Sequence, residues 1–224
     1  RLVNGKFIIK DYDIKIILDC PSFGIDVRGA RLLVLFNKND KNFNNDIGVP
    51  LTLLNLTVEH RYAVIEMGMG AKRTILPKAL LVRPHTAVVT DIQADHMEFH
   101  ESVASVVKTK MEVIWGLESG GTVVLNRDSE YFPTMHGLAL QRSDVNIFTF
   151  GQHPKADICA QDIELASSHS TIQVRVFQKT FYYSLALPGM HMALNSLVAV
   201  AVMVSEGVDL ALALPEFENI EPEK

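Results

Sequence analysis

The sequence predicts an α/β fold: a mostly parallel sheet flanked by helices, with a small antiparallel subsheet. Short apolar runs rich in β-branched residues alternate with helical stretches from Ile47 to about Asn126, which is the pattern of parallel sheets covered by helices. Between about 146 and 187, strand-like segments follow one another with short links, as antiparallel strands do. The chain has 224 residues, 48% hydrophobic and 21% charged, which suffices for one domain or one domain with a small appendage.

Composition excludes several classes of protein. The net charge is −5 and no long basic run occurs, so we expect no broad nucleic-acid-binding surface. The longest apolar stretch, Met192–Val204, contains Asn195 and Ser196 and is shorter than the roughly 18–20 residues that span a bilayer. The N-terminus lacks the pattern of a signal peptide and the two cysteines lie far apart, so we expect a cytoplasmic protein.

The segment 1–40 is predicted to contain short strands, with Pro21 and Gly24 between them. The predicted strands are the β-branched or apolar runs Phe7–Lys10, Ile14–Leu18 and Arg31–Phe36. The polar, Asn-rich segment Asn37–Asn45 that follows is typical of a loop or a domain junction.

The parallel part of the sheet is predicted from three apolar runs and a helix. The strands are Tyr62–Glu66, Thr86–Ile92 and Gly121–Asn126. The helix Glu101–Glu118 lies between the second and third strands, and Gly120 follows its end.

The second half of the chain is predicted to form four more strands and two helices. The strands are Asn146–Phe150, Ile158–Leu165, Thr171–Phe177 and Phe181–Leu187. His191–Ser205 is apolar on nearly all sides and is followed by Gly207, which predicts a buried helix with a glycine cap. A shorter helix, Asp209–Leu214, precedes Pro215, and the remaining tail is acidic.

Polar side chains follow the three strands of the predicted parallel part. Glu66 ends the first strand, an Asp/His cluster at 91–96 follows the second, and Asn126 and Asp128 follow the third. Because ligands of parallel α/β sheets bind beyond the carboxyl ends of the strands, these residues are candidates for a metal and phosphate site. Simple contact with water explains polar strand ends equally well.

Lys110 lies in the apolar stripe of the helix predicted at Glu101–Glu118. Positions 103, 106, 110, 113 and 117 share one helical face, and their other members are apolar. The more common outcome for such a lysine is to extend its amine to solvent along the helix. If it stays buried, desolvation favours the neutral amine, which can react with carbon dioxide to form a carbamate whose oxygens suit Mg²⁺.

Two other patterns are weaker candidates for chemistry. His96 and His100 have the spacing of two zinc ligands on one helix face, but Glu98 is misplaced for a zinc hydrolase motif and no third ligand is evident, so a single His with carboxylates is favoured. The phosphate-loop motif GxxxxGK[ST] is absent. Asn195, within an apolar helix, is either a core amide or a ligand contact, and the core role is favoured.

Five segments in series carry a recognisable set of motifs. They are NFNNDIGVPLTLL (Asn42–Leu54), YAVIEMG (Tyr62–Gly68), the stretch from Arg83 to Leu117, TVVLNRD (Thr122–Asp128) and PGMHMALN (Pro188–Asn195). Together they resemble the motifs of the Mur ligase family, ATP-dependent amide ligases of peptidoglycan precursor synthesis. They occur in the family's order and with its spacings from about Lys41 to Leu214. The resemblance is to the ATP-binding central domain of the family.

The resemblance implies a reaction, a domain organisation and a set of site residues. ATP would phosphorylate a substrate carboxylate, and an amine would attack the acyl phosphate to form an amide. Glu66 and His96 would bind Mg²⁺, and Lys110 would be the carbamylated, metal-binding catalytic lysine. Residues 41–216 would form the central domain with an antiparallel insert at about 146–187. Residues 1–40 would be a β-rich remnant of a substrate-binding domain, and 217–224 the tail where a C-terminal domain would begin.

The resemblance also implies ligand contacts. The partners would be a nucleotide and a UDP-linked or amino-acid or peptide substrate, with no nucleic acid. The residues around the nucleotide would be Asn126, Asp128, His191 and Asn195. The residues that border the substrate cleft would be Asn42, Asn44 and Asn45.

Two departures from the family pattern leave the activity open. The family's GKT phosphate loop, with its strand and helix, would lie between Phe36 and Asn42, where only a few residues stand, and Met192 replaces an Asn. An active ATP-dependent ligase and a catalytically incompetent binding or structural protein with the same fold are therefore both open. A metal-dependent hydrolase that uses His96 and His100 is the third alternative.

Overall fold

The structure is a computed structural model. It describes the backbone of four short strands at 2–3, 6–7, 13–18 and 35–38, and then of the ranges 44–56, 60–69, 73–92 and 101–220. Within these ranges, side chains are described from residue 44 onward, except those of 60 and 61.

The described elements follow the predicted alternation of strands and helices. The strands are β1 (Leu2–Val3), β2 (Lys6–Phe7), β3 (Asp13–Leu18), β4 (Leu35–Lys38), β5 (His60–Ile65), β6 (Thr86–Val89), β7 (Thr122–Asn126), β8 (Asn146–Gly151), β9 (Ile158–Leu165), β10 (Ser170–Val176) and β11 (Lys179–Leu185). The helices are α1 (Gly48–Leu54), α2 (Ile75–Val82), α3 (Val103–Met111), α4 (Phe132–Ala139), α5 (Met190–Ser205) and α6 (Leu210–Ala213). Two 3₁₀ turns, Glu112–Gly116 and Leu214–Asn219, follow α3 and α6.

One sheet organises this part of the chain. Its nine strands have the order β11-β10-β9-β8-β7-β6-β3-β5-β4. Every neighbouring pair from β4 to β9 is parallel, and β9, β10 and β11 pair antiparallel. The predicted class, a mostly parallel sheet flanked by helices with a smaller antiparallel part, is confirmed.

The antiparallel part is smaller than predicted. The sequence places Asn146–Phe150 in an antiparallel subsheet, but β8 runs parallel to both β7 and β9. The short link after β8 suggested an antiparallel turn. It suffices here because β8 and β9 pair over only two residue pairs, Phe150 with Ile158 and Gly151 with Cys159, so β9 starts where β8 ends and no long crossover is needed.

Two strands of the segment 1–40 belong to the main sheet. β3 lies between β5 and β6, and β4 pairs with β5 at the edge, so the sheet crosses the domain boundary predicted at residue 41. The strand at 13–18 is predicted correctly by its β-branched run. Its partners begin only at His60 and Thr86, far along the chain, and no local pattern reveals them.

Helices cover the sheet on two faces, each with its own core. One core holds the inward residues of α1 to α4, and the other holds those of α5 and α6. β7 contributes to both, because Val123 and Leu125 face the first core and Val124 faces the second. Among the helices that the structure describes, none combines the length and the apolar character that a membrane crossing requires.

The C-terminal segment is part of the second core as far as residue 220. Phe217 and Ile220 are only 2% and 3% exposed, and the Phe217 ring meets Tyr183 edge-on at 5.2 Å. The second core therefore includes residues beyond 216, the predicted end of the central domain. The tail is acidic in composition, so the sequence did not indicate that Phe217 and Ile220 are buried. Phe217 packs against Tyr183 of β11.

Arg142 joins the end of α4 to the turn before β7. Its guanidinium donates to the backbone oxygens of Ile114 and Leu117 at 2.7 and 3.2 Å and to both oxygens of Asp144 at 2.7 and 2.9 Å. The hydrogen bonds from Arg142 lower the pKa of Asp144 from its ordinary 3.8 to about 2. The pair thus fixes the loop between α4 and β8 against the turn that precedes β7.

Gly116 is required by the contact between its 3₁₀ turn and α2. A Cβ at this position would lie 2.3 Å from the backbone of Ala79, and neither backbone can move without disturbing the core. We expect Gly116→Ala to lower the free energy of unfolding by about 1–3 kcal/mol, the usual cost of overpacking. The control is Gly137→Ala at an exposed position of α4, where a Cβ meets nothing within 4 Å and stability should rise by up to about 1 kcal/mol. Urea denaturation measures both, and equal effects would contradict the close packing.

The Arg142–Asp144 pair predicts a pH dependence of stability. Because the folded-state pKa of Asp144 is depressed, the unfolded chain binds the proton more readily, and the stabilisation is fully present above about pH 4. It is lost as the pH falls to about 2. The difference in unfolding free energy between wild type and Asp144→Asn should therefore shrink over this range. A difference that stays constant from pH 6 to pH 2 would exclude the pairing.

Candidate functional site

The strand order creates a crevice at one edge of the sheet. From β3 the chain passes to the edge strand β4, returns to β5 beside β3, and then crosses to β6 on the other side. The order therefore reverses at β3, and such a reversal opens a crevice beyond the carboxyl ends of the strands. Glu66 directly follows β5, and Thr90 and Asp91 directly follow β6. The predicted candidates thus lie at the same edge of the sheet. The strands that carry them, β5 and β6, are separated by two interstrand spacings, about 10 Å.

Glu66 is held by the segment that precedes α1. The side-chain amide of Asn44 donates to Glu66 Oε1 at 2.7 Å, and the Gly68 N–H donates to the backbone oxygen of Asn44 at 2.8 Å. The next residue, Asn45, accepts from the N–H groups of residues 47 and 48 through Oδ1 at 3.0 and 2.8 Å. The segment thereby starts α1 and orients the carboxylate that ends β5.

Lys110 is buried, so the more common outcome expected for it is not what the structure shows. Ser102 caps α3 by accepting from the Ser105 N–H, and Lys110, in the last turn of the helix, is only 4% exposed. Its Nζ donates to the backbone oxygen of Asp91 at 3.0 Å. The amine therefore lies at the carboxyl end of β6 and does not extend to solvent. Its carbamylation stays a prediction.

The other predicted metal residues lie outside the described part of the chain. These residues are His96 and His100. Asn42 of the predicted substrate cleft also lies outside the described part. Within the described residues, no three His, Cys, Asp or Glu side chains are grouped closely enough to hold a metal. The carboxylate of Glu66 suits Mg²⁺, which is commonly bound through one or two carboxylates together with water and substrate phosphates. It does not suit a closed site of four protein ligands such as structural zinc.

Asn126 and Asp128 shape the loops beyond β7 and β8. Asn126 Oδ1 accepts from the Asp128 N–H at 2.9 Å. The Asp128 carboxylate accepts from the backbone N–H groups of Gln152 and His153 at 2.7 and 2.8 Å. Gly151 has φ +144°, and a Cβ there would lie 2.5 Å from Asp128 Oδ2, so the carboxylate fills the space that a side chain would occupy. Both side chains thus have a structural role, which the sequence did not predict.

His191 and Asn195 lie one turn apart at the start of α5. His191 is exposed and Asn195 is half-buried. Val124 belongs to the core beneath α5, and Asn126, two residues further along β7, lies on the same face of that strand. Asn126, His191 and Asn195 therefore share the α5 face of the sheet, whereas Lys110 approaches the edge from the α3 face.

Arg127 is a residue at this edge that the sequence analysis missed. Its guanidinium lies 4.6 Å above the Phe132 ring, and its buried Nε has no hydrogen-bond partner among the residues described. Its position between Asn126 and Asp128, directly after a strand, was the available signal.

The strand order also moves the expected position of a phosphate loop. In proteins with such a loop, it follows a strand and opens a helix at the site of the nucleotide. The strand at the reversal point is β3, so by this argument a loop of this kind would follow Leu18 rather than lie between Phe36 and Asn42. Residues 19–34 lie outside the described part, and their sequence contains no lysine.

Comparison with known families and proteins agrees with the sequence motifs. A family profile described as the Mur ligase middle domain matches residues 15–203. The relative from Escherichia coli (strain K12), named UDP-N-acetylmuramoyl-tripeptide--D-alanyl-D-alanine ligase, is 34% identical over 170 residues, which cover 75% of this chain and 37% of that protein. The chain thus spans well under half the length of the curated relatives that it matches. The predicted resemblance, including its likeness to this ligase, is confirmed.

Solved structures agree on the fold. A crystal structure of MurF from Acinetobacter baumannii matches with a TM-score of 0.86 and 24% identity, and covers 96% of this chain and 47% of that one. The MurF ligase from Thermotoga maritima, whose structure is a complex with ADP, matches with a TM-score of 0.73 and 20% identity, and covers 91% and 48%. At these identities the likeness establishes the architecture.

Proposed function

This chain belongs to the Mur ligase family through that family's middle domain, and on this basis we propose that it is the ATP-binding part of a ligase of peptidoglycan precursor synthesis. The proposed substrates are a UDP-linked muramoyl peptide with a free carboxylate and an amino acid or peptide with a free amine. The relatives with up to 34% identity that carry the name of such a ligase support this proposal. The observation that carries it is the buried Lys110 amine at the carboxyl end of β6.

The proposed reaction couples amide formation to ATP hydrolysis. The carboxylate of the first substrate takes the terminal phosphoryl group of ATP, which releases ADP and leaves an acyl phosphate. The amine of the second substrate then attacks the acyl carbon, the C–O bond to phosphate breaks, and the amine loses a proton. Water must be kept from the acyl phosphate until the amine has reacted.

Three residues are proposed to hold Mg²⁺. They are Glu66, His96 and the carbamate of Lys110, and when bound the ion would neutralise charge on the transferring phosphoryl group. Glu66 is ordered for this role by Asn44. The buried position of Lys110 supports this role because it holds the side-chain nitrogen at the same edge of the sheet as Glu66.

The remaining site residues are proposed to contact the substrates. Asn126, His191 and Asn195 share one face of the sheet and are proposed to line the nucleotide site, and the loop closed by Asp128 would border it. Asn45 and Asn42 are proposed to border the cleft for the second substrate, whereas the Asn44 amide is engaged by Glu66. A reaction that uses ATP and a UDP-linked precursor belongs in the cytoplasm, where we place the protein.

A binding or structural protein without catalysis is the second candidate. The observation that favours it is the position of β3, because the segment after this strand is where a phosphate loop would lie. Residues 19–34 contain no lysine and no GK[ST] sequence, so they lack the lysine and the adjacent hydroxyl that such a loop supplies to phosphate and Mg²⁺.

Nucleotide binding separates the two candidates. We titrate ATP into the protein by calorimetry, with and without Mg²⁺, and expect saturable binding that strengthens with Mg²⁺. Glu66→Gln should remove most of this Mg²⁺ dependence, because it replaces a charged ligand with a neutral amide of the same shape. Asp209→Asn, which alters a carboxylate at the start of α6, is the control and should bind like wild type. No heat with ATP and Mg²⁺ would support the second candidate.

Carbamylation of Lys110 is tested in the intact protein. With ¹³C-labelled bicarbonate, wild type should show a carbamate carbon signal that is absent in Lys110→Ala and retained in Lys108→Ala, whose side chain is exposed on the same helix. Ligation should be lost in Lys110→Ala and partly regained with added short carboxylates, which replace the missing anionic oxygens. A signal that persists in Lys110→Ala, or no rescue, would argue against the carbamate.

A further inference from the structure

The contact between Asn44 and Glu66 has a specific chemical consequence. We infer that Asn44 is a positioning residue that sets the affinity of Glu66 for a divalent cation. The inference rests on the proposed function, in which Glu66 is a Mg²⁺ ligand. The family resemblance implies a place for Asn44 at the substrate cleft, but in the structure its amide donates to Glu66 Oε1 at 2.7 Å.

The Asn44 amide is confined on one side by Gly68. A Cβ at residue 68 would lie 2.6 Å from Asn44 Oδ1 and 2.7 Å from its Cγ, so the amide occupies the space that any other residue would need. The Gly68 N–H also donates to the Asn44 backbone oxygen at 2.8 Å. The segment after β5 therefore holds both the backbone and the side chain of Asn44 beside the carboxylate.

The residues that follow Asn44 anchor it on the other side. Asn45 Oδ1 accepts from the backbone N–H groups of residues 47 and 48, just before and at the first residue of α1, and Asp46 forms an ion pair with Lys78 Nζ at 2.8 Å. The Lys78 side chain is only 5% exposed, so its stem packs within the buried face of α2 while its amine reaches the exposed Asp46. The backbone around Asn44 is thus tied to α2 through Asp46, and the amide of Asn44 is held between Gly68 and Glu66.

A fixed neutral donor is well suited to prepare a carboxylate for a metal. It fixes the rotation of the Glu66 carboxylate by engaging one oxygen, and unlike a lysine or arginine it adds no positive charge that would repel the cation. Partners that orient metal ligands in this way typically contribute about 10–100-fold to metal affinity. Loss of the amide would remove one of the contacts that orient the carboxylate and would weaken cation binding without removing the ligand.

The test measures binding of Mn²⁺, an EPR-visible substitute for Mg²⁺, to the whole protein in the absence of nucleotide. We expect Asn44→Ala to raise the Mn²⁺ dissociation constant about 10-fold and Glu66→Gln to raise it at least as much. The matched control is Asn219→Ala, which removes another amide-to-carboxylate hydrogen bond, to Glu216 at 3.1 Å, and should leave Mn²⁺ binding unchanged. Because Asn44 acts through Glu66, the double variant should bind no more weakly than Glu66→Gln alone.

The outcomes separate the inference from the proposed function. If Glu66→Gln weakens Mn²⁺ binding and Asn44→Ala does not, Glu66 is a ligand and the positioning role is overturned. If Glu66→Gln has no effect, the proposed metal role of Glu66 fails too. If Asn44→Ala does not fold, Gly68→Ala is used in its place. The added methyl group pushes the Asn44 amide away from Glu66, although the Asn44 side chain is still present. The same loss of affinity is then expected, and wild-type affinity would overturn the inference.

Discussion

The parallel pairing of β3 with both β5 and β6 is the constraint on which the rest of the structure depends. Because β3 sits between strands that the chain reaches later, the strand order reverses there, and the carboxyl ends of all three strands meet at one edge. Glu66 follows one of these strands directly, and Lys110 packs against the end of another. Moving β3 to the outside of the sheet would bring β5 and β6 into contact and close the crevice between them.

Hydrogen bonds hold the helical segments to the strand ends on both sides of the crevice, and the buried Lys110 amine makes one of them. An amine removed from water must find a hydrogen-bond acceptor, since an unsatisfied buried polar group costs several kcal/mol, roughly 2–7. The Asp91 carbonyl supplies it, and the bond ties the last turn of α3 to the segment after β6. Across the crevice, Asn44 ties the start of α1 to the segment after β5. On each side of the site, hydrogen bonds therefore join a helical segment to the residues that follow a strand.

For some predicted site residues the sequence indicated the observed position, and for others it did not indicate the observed contacts. Glu66 lies at the edge, as the apolar run that it ends indicated. Lys110 lies there as the family resemblance implied, although its place in an apolar stripe by itself favoured extension to solvent. The roles of Asn44 and Asp128 could not be predicted, because their partners, Glu66 and the turn after Gly151, lie far along the chain from them. Asparagine and aspartate side chains suit ligands and loops equally well, so residue type alone does not distinguish them.

The sequence by itself determined the class of fold, most strand positions, the long buried helix α5 and membership of the family, because these follow from hydrophobic periodicity and from motifs in series. Only the tertiary structure decided that β3 and β4 belong to the main sheet, that β8 is parallel, and that Phe217 and Ile220 complete the second core. Each of these depends on pairing or packing between segments distant along the chain. Strand periodicity reports that a segment is extended and which side is apolar, but it carries no information about the neighbour against which the segment will lie.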